Sequence, residues 1–304
     1  MLSYESFKNE ILLQVNDRLE GTANATLTPI RKNNDTLWDG LIISTDDSNI
    51  SPAIYLNSYY DPAYLDGESI SSIADDLVRQ YRRSLPCEPV NISFFTDFDK
   101  VKDMIVFRIV NRAKNETLLE DVPHIDYLDL SVTFLCLLSV HDSCDATILI
   151  HNSHLELWNT DADELYEIAI RNTPKLLNWK LRDMKDIIEG LTLPEDDLIP
   201  DKDELAFPIY VLSNTSSING AACILYEGVL AAIADRLYAE NLYIIPSSIH
   251  EVLVLPQTPS VTGEDLDTMI CQVNASAVSD EEILSDHVYY YCREDDLLSA
   301  ACPA

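Results

Sequence analysis

YLDLSVTFLCLLSVHDSCDATILI, residues 127–150, sets two strand-like runs in succession, Tyr127–Val140 and Ala146–Ile150, with no helical stretch between them. Upstream and downstream of it, strands and helices follow one another without strict alternation. That order predicts an α+β fold, with mixed or mainly antiparallel sheets and helices packed against them, over a doubly wound parallel sheet. The apolar core of the stretch, Leu130–Val140, is about half the length needed to span a bilayer, and it is read as a buried strand.

Working outward, Phe7, Ile11, Val15 and Leu19 recur every fourth residue after a capping Ser3 and before Gly21, which predicts an opening helix over 3–19. Strands are expected near 25–30, 37–44 and 52–57, and a helix carries Ile70, Ala74, Leu77 and Tyr81. A strand over 91–96 should lead into a helix from Asp97 with Val101, Ile105 and Ile109 on one face. Asp163 follows Thr160 as in a capping box, and Pro174 is expected to end that helix. After Tyr210, Val229–Leu237 should be helical, Leu242–Ile245 and Ile249–Leu255 a strand pair, and Thr262 the cap of a last helix. A strand over His287–Tyr291 closes the order, after which the tail is expected to fray.

TLPEDDLIPDKDELAF, residues 192–207, holds two prolines and a run of acids without helical or strand period. It is expected to be a linker or surface loop between an N-terminal α+β region, 1–191, and a C-terminal one, 208–304, or else to lie within one integrated unit. A strand, an Asn-Ser/Thr pair, a loop and a helix recur at 54–58, 148–153 and 210–215. Either a supersecondary unit repeats there, or Asn and Ser are ending strands in their ordinary way.

The chain carries 52 Asp and Glu against 20 Lys and Arg, a net charge of −32. Such a surface repels nucleic acid and anionic membranes, whose binders need basic side chains to displace counterions. The charge serves solubility, attracts a basic partner, or imitates a polyanion. No basic, apolar leader opens the chain, and its seven cysteines are odd in number and form no CxxC. Reduced thiols in a cytoplasm fit that usage better than a disulfide frame.

Seven isolated glycines exclude GxGxxG and GxxxxGK[ST] loops, and no GxSxG, HExxH, EF-hand or zinc-finger spacing occurs. No cofactor is therefore expected. The remaining chemistry lies in His151 and His154 of IHNSHLELW, His250 and Glu251 of SSIHEVLV, and His287 of SDHVYYY. Imidazoles with carboxylates beside them could hold a divalent transition metal such as zinc, or act as oriented bases. On a strand, His151 and His154 would face opposite sides, converging only if the chain turns at Asn152-Ser153. The alternative is that these histidines bond at strand ends or rest against aromatics. Cys223 sits in an apolar run that makes a thiol inert. Tyr289–Tyr291 forms part of a core strand or a partner surface, and Asp295-Asp296 a solvated face.

The segments NISPAIYLNSYYD (49–61), SFFTDFDKVKDMIVFRIVN (93–111), ATILIHNSHLELW (146–158), GAACILYEGVLAAIADRL (220–237), LYIIPSSIHEVLVLP (242–256) and LSDHVYYY (284–291) resemble an uncharacterised bacterial family, a domain of unknown function common in anaerobic gut bacteria. The last third is also similar to a second uncharacterised bacterial family with a PSSIHE-type segment. The resemblance implies one unit over nearly the whole chain and a bacterial cytoplasmic origin, and brings no activity with it. The expectation from the residues is a non-enzymatic cytoplasmic protein that binds another protein, its acidic surface suiting a basic one, in regulation or in conflict with mobile elements. The alternatives are a metal-dependent hydrolase built on the His/Glu set, and a polyanion mimic.

Overall fold

A computed structural model describes residues 2–45, 53–63, 66–84, 93–140, 144–190, 208–259 and 261–301. The architecture is α+β, and every strand pairing in it is antiparallel. The chain divides into two compact units, Met1–Lys32 with Thr36–Phe94, and Asn33–Asp35 with Phe95–Ala304.

In the first unit, α1 (Tyr4–Leu19) buries Phe7, Ile11, Val15 and Leu19, the four-residue stripe of its sequence. Ser3 Oγ accepts the Ser6 N–H at 3.2 Å, which satisfies one of the helix's unpaired N-terminal donors. Strands β1 (Asn24–Arg31), β2 (Leu37–Ser44) and β3 (Ala53–Tyr55) form a three-stranded sheet in chain order. Helix α2 (Gly67–Ser84) adds Ile70, Ala74, Leu77 and Tyr81 to the core that α1 shares with Leu41 and Ile43 of β2.

The second unit holds two sheets. After α3 (Phe98–Val101) come β4 (Ile105–Asn111), α4 (Glu116–Leu119), β5 (His124–Tyr127), β6 (Leu130–Val140) and β7 (Cys144–Leu149). Strand β6 is the centre of this sheet, with β4 along one side and β5 then β7 along the other. Helices α5 (Asn152–Trp158) and α6 (Ala162–Leu176) follow, then β8 (Trp179–Asp183), α7 (Met184–Gly190), β9 (Tyr210–Asn214) and α8 (Val229–Leu237). The chain continues through β10 (Asn241–Ile245), β11 (Val252–Pro256), α9 (Gly263–Ser276), β12 (Tyr289–Cys292) and β13 (Leu297–Ala300). These strands make a six-stranded sheet ordered β13-β12-β10-β11-β9-β8. Its central strand β10 is buried on both faces; Tyr243 and Ile245 meet Leu266 and Ile270 of α9 on one of them.

Several elements differ from expectation for physical reasons. Ser93–Thr96 is a 3-10 turn where a strand was expected over 91–96, whose first two residues lie outside the described ones. The helix expected from Asp97 stops at Val101, and Ile105–Asn111 is a strand instead. Its run of β-branched and aromatic residues is buried on both faces, so a four-residue apolar spacing arises there without a helix. Pro174 lies inside α6, in the last turn, where the missing N–H costs one bond and the helix still reaches Leu176. The tail beyond Tyr291 forms β13, which pairs with β12. Residues 192–207 lie outside the described ones, and strands from either side of them, β8 and β9, pair in one sheet.

Candidate functional site

The expected histidines occupy three separate places. His151 and His154 do come together, because the chain turns into α5 at Asn152, and their ring centroids are 5.6 Å apart. His151 Nδ1 lies 2.7 Å from Asp121 Oδ2, and its backbone N–H donates to His154 Nδ1 at 2.9 Å. His154 stacks on Trp158 and meets Phe95 edge-on, with centroids at 5.6 and 5.0 Å. Burial among these rings, then the neighbouring His151, pushes its pKa down, which favours the neutral imidazole.

His250 is tied into a different part of the unit. Its Nδ1 accepts the Asn219 N–H at 3.2 Å, and its Nε2 lies 3.8 Å from Glu282 Oε1. The Glu251 backbone carbonyl accepts the Ser248 N–H at 3.1 Å. His287 Nδ1 faces Asp267 Oδ2 at 3.9 Å, and its N–H donates to Ser285 Oγ at 3.0 Å. Among the described residues, no three His, Cys, Asp or Glu side chains gather in an arrangement able to hold a metal ion. Burial pushes the Cys136 thiol up to about 11 and the Cys223 thiol up to about 12, which leaves both protonated and unreactive at neutral pH.

A cleft of about 230 Å³ lies elsewhere in the second unit, lined by Tyr127, Tyr166, Tyr226, Glu227, Tyr291 and Asp296 together with aliphatic residues. Four segments of the chain bring their tyrosines together to make it. Tyr127 ends β5, Tyr166 comes from α6, Tyr291 from β12, and Tyr226-Glu227 precede α8. Glycine is required at the α8 N-cap, Gly228, because φ there is +73°. Asp296 has φ +48° in the turn joining β12 to β13, a conformation that Asp tolerates better than most residues.

Three of the four phenols of this cleft are anchored. Tyr291 Oη donates to Asp296 Oδ1 at 2.5 Å, Tyr226 Oη to the Leu177 carbonyl at 3.2 Å, and Tyr127 Oη to the Leu298 carbonyl at 3.4 Å. Burial raises the pKa of all four tyrosines, so they present neutral hydroxyls and rings. Among the described residues, two carboxylates and no basic side chain line the opening, with Arg293 acting on Tyr291 from outside the lining. The arrangement can receive a cation: tyrosine rings attract cations, and the carboxylates supply the countercharge.

Sequence reasoning singled out Tyr291 within the Tyr289–Tyr291 run and Asp296 within an acidic pair. It missed Tyr127, Tyr166, Tyr226 and Glu227, which lie far apart in the chain and meet only through the tertiary fold. No helix among the described residues is long and apolar enough to cross a membrane. No curated protein and no solved structure matches the chain. A family of unknown function (DUF5688) matches residues 4–293, and the chain belongs to that family.

Proposed function

We propose that this chain is a cytoplasmic protein that acts by binding another protein, and that the tyrosine cleft receives a lysine or arginine side chain of that partner. The observation that carries this reading is the lining itself, with four tyrosines, two carboxylates and no cation among the described residues. At about 230 Å³ the cleft is below the roughly 300–1,000 Å³ typical of sites for drug-sized ligands, and it suits the head of one side chain. The net charge of −32 would steer a basic partner toward the surface and disfavour acidic ones. The chain's own lysines already use such rings: Lys32 Nζ lies 3.8 Å from the Tyr55 centroid, and Lys8 Nζ 4.9 Å from that of Tyr4.

Calorimetric titration with a lysine-rich peptide tests this, using the full chain and a Glu227→Gln/Asp296→Asn double variant. Asn keeps the left-handed turn and an acceptor for Tyr291. The expected result is binding that weakens with salt and loses about tenfold or more in the variant, as charged hydrogen bonds are each worth about 1.5–3 kcal/mol. Equal affinity in both proteins, or none in either, would overturn the proposal.

A further inference from the structure

Strand β4 is an apolar run broken by one cation. Alternation puts Val106, Arg108 and Val110 on one face of the four-stranded sheet, and Phe107 and Ile109 on the other. The register sets Arg108 opposite Thr133 of β6, and Thr133 opposite His124 of β5, so three polar side chains form one row across the sheet. The row on one side is apolar, with Val106 and Leu135 packed against Leu177. On the other side Val110 packs with Leu119 and Val122. The remaining members of that second row satisfy each other: Ser131 Oγ donates to Asp126 Oδ1 at 2.8 Å, and Arg112 pairs with Asp126 Oδ2 at 3.2 Å.

Arg108 Nε donates to Thr133 Oγ1 at 3.2 Å. Among the described residues this is the guanidinium's one side-chain bond, and no carboxylate lies within ion-pair distance of it. His124 Nδ1 donates to the Val122 carbonyl at 3.1 Å, which leaves its Nε2 free to bond elsewhere. Thr133 is buried, whereas Arg108 and His124 are half-buried and open to solvent. Burial pushes the guanidinium down to about 10, and no carboxylate among the described residues raises it again.

The chain has 52 acidic residues against 20 basic ones, so carboxylates are in excess for a half-buried arginine to pair with. Arg18 pairs with Asp75, Arg293 with Asp235 and Lys8 with Asp39, yet the arginine set most deeply in a sheet has no countercharge among the described residues. A partly desolvated cation without a partner is costly, and an apolar residue of similar volume would serve packing as well or better. Its fork of N–H donors matches the paired oxygens of an oxyanion. The buried Thr133 hydroxyl accepts from Nε and so holds the guanidinium in place, leaving its terminal N–H groups to face a ligand.

We propose that Arg108 and His124, with Thr133 bracing the guanidinium from beneath, form a binding site for an oxyanion, the carboxylate or phosphate group of a small ligand, on the face of the four-stranded sheet that carries Val106 and Val110. This site is separate from the tyrosine cleft and of opposite charge preference, so either can fail without the other.

Thermal unfolding of the full chain in sodium phosphate, sodium acetate and sodium chloride at equal ionic strength tests it. Matching is needed because screening alone stabilises a highly charged chain. A ligand that binds only the folded state raises Tm through mass action. Phosphate or acetate should raise Tm above chloride, and the larger of the two shifts identifies the group preferred. Arg108→Met should abolish the excess, and Arg108→Lys and His124→Gln should each reduce it, with Lys weakening binding about tenfold or more. Should Arg108→Met not fold, the other two variants decide. No excess over chloride in the wild type, or an excess unchanged in the variants, would overturn the site.

Discussion

Asp121 Oδ2 holds His151 Nδ1 at 2.7 Å, and this pair stands beside His154, whose ring is wedged against Phe95 and Trp158. Three influences act on His154: burial and the neighbouring His151 lower its pKa, and Asp121 opposes them. The net shift is downward from an ordinary value of 6.5. Between those two values the unfolded chain binds more protons than the folded one, so stability rises with pH. The contribution of His154 is complete above pH 6.5 and is lost as pH falls through its folded value. Tm measured from pH 7.5 downward should therefore drop below about pH 6.5, before the carboxylates titrate. His154→Gln, which keeps an acceptor for the His151 N–H, should flatten that limb; an unchanged limb would remove His154 as its source.

Gly220 marks a close approach of backbone to backbone. A Cβ placed there would lie 2.5 Å from the His250 carbonyl oxygen and 2.7 Å from the Asn214 nitrogen, and would overlap Ser213 Oγ. The first two are main-chain atoms of the β9 end and the loop before β11, which have little room to yield. Gly220→Ala should destabilise the chain by about 1–3 kcal/mol or more, read as a shift of the denaturation midpoint with unchanged slope. A neutral result would mean that the 220–225 turn can move away from β9.

Tyr238 presents the opposite case. It closes α8 with φ +54° and is 97% exposed, so the left-handed backbone carries its steric cost with no packing in return. Tyr238→Gly should stabilise the chain by about 1 kcal/mol. Chemical denaturation would check this, and a loss of stability would show that the ring packs in solution.

How far the fold was legible depends on whether local pattern and tertiary contact agree. Helix α1 was readable because Phe7, Ile11, Val15 and Leu19 all point into one core, and because Ser3 caps it. Strands β10 and β11 were readable from two apolar runs around Pro246-Ser247-Ser248, and they pair antiparallel. Strand β4 was not, since apolar residues at nearly every position satisfy helix and strand periods alike. That error concealed Arg108, which the strand sets between apolar clusters. Strand β8 escaped because its alternation, Trp179-Lys180-Leu181-Arg182, is only four residues long; it is an edge strand whose Lys180 and Arg182 discourage further pairing. The convergence of His151 with His154 depended on the turn at Asn152, which the residues allowed without requiring. The cleft could not be read at all, as its tyrosines come from four segments joined only by the packing of the unit.

The most direct test of the cleft is NMR of the full chain with ¹³C-labelled tyrosine rings, titrated with a lysine-rich peptide. The ring signals of Tyr127, Tyr166, Tyr226 and Tyr291 should move together and saturate, while exposed Tyr238 stays still. Shifts spread evenly over tyrosines across the acidic surface, or none at the four, would contradict a cation-receiving cleft.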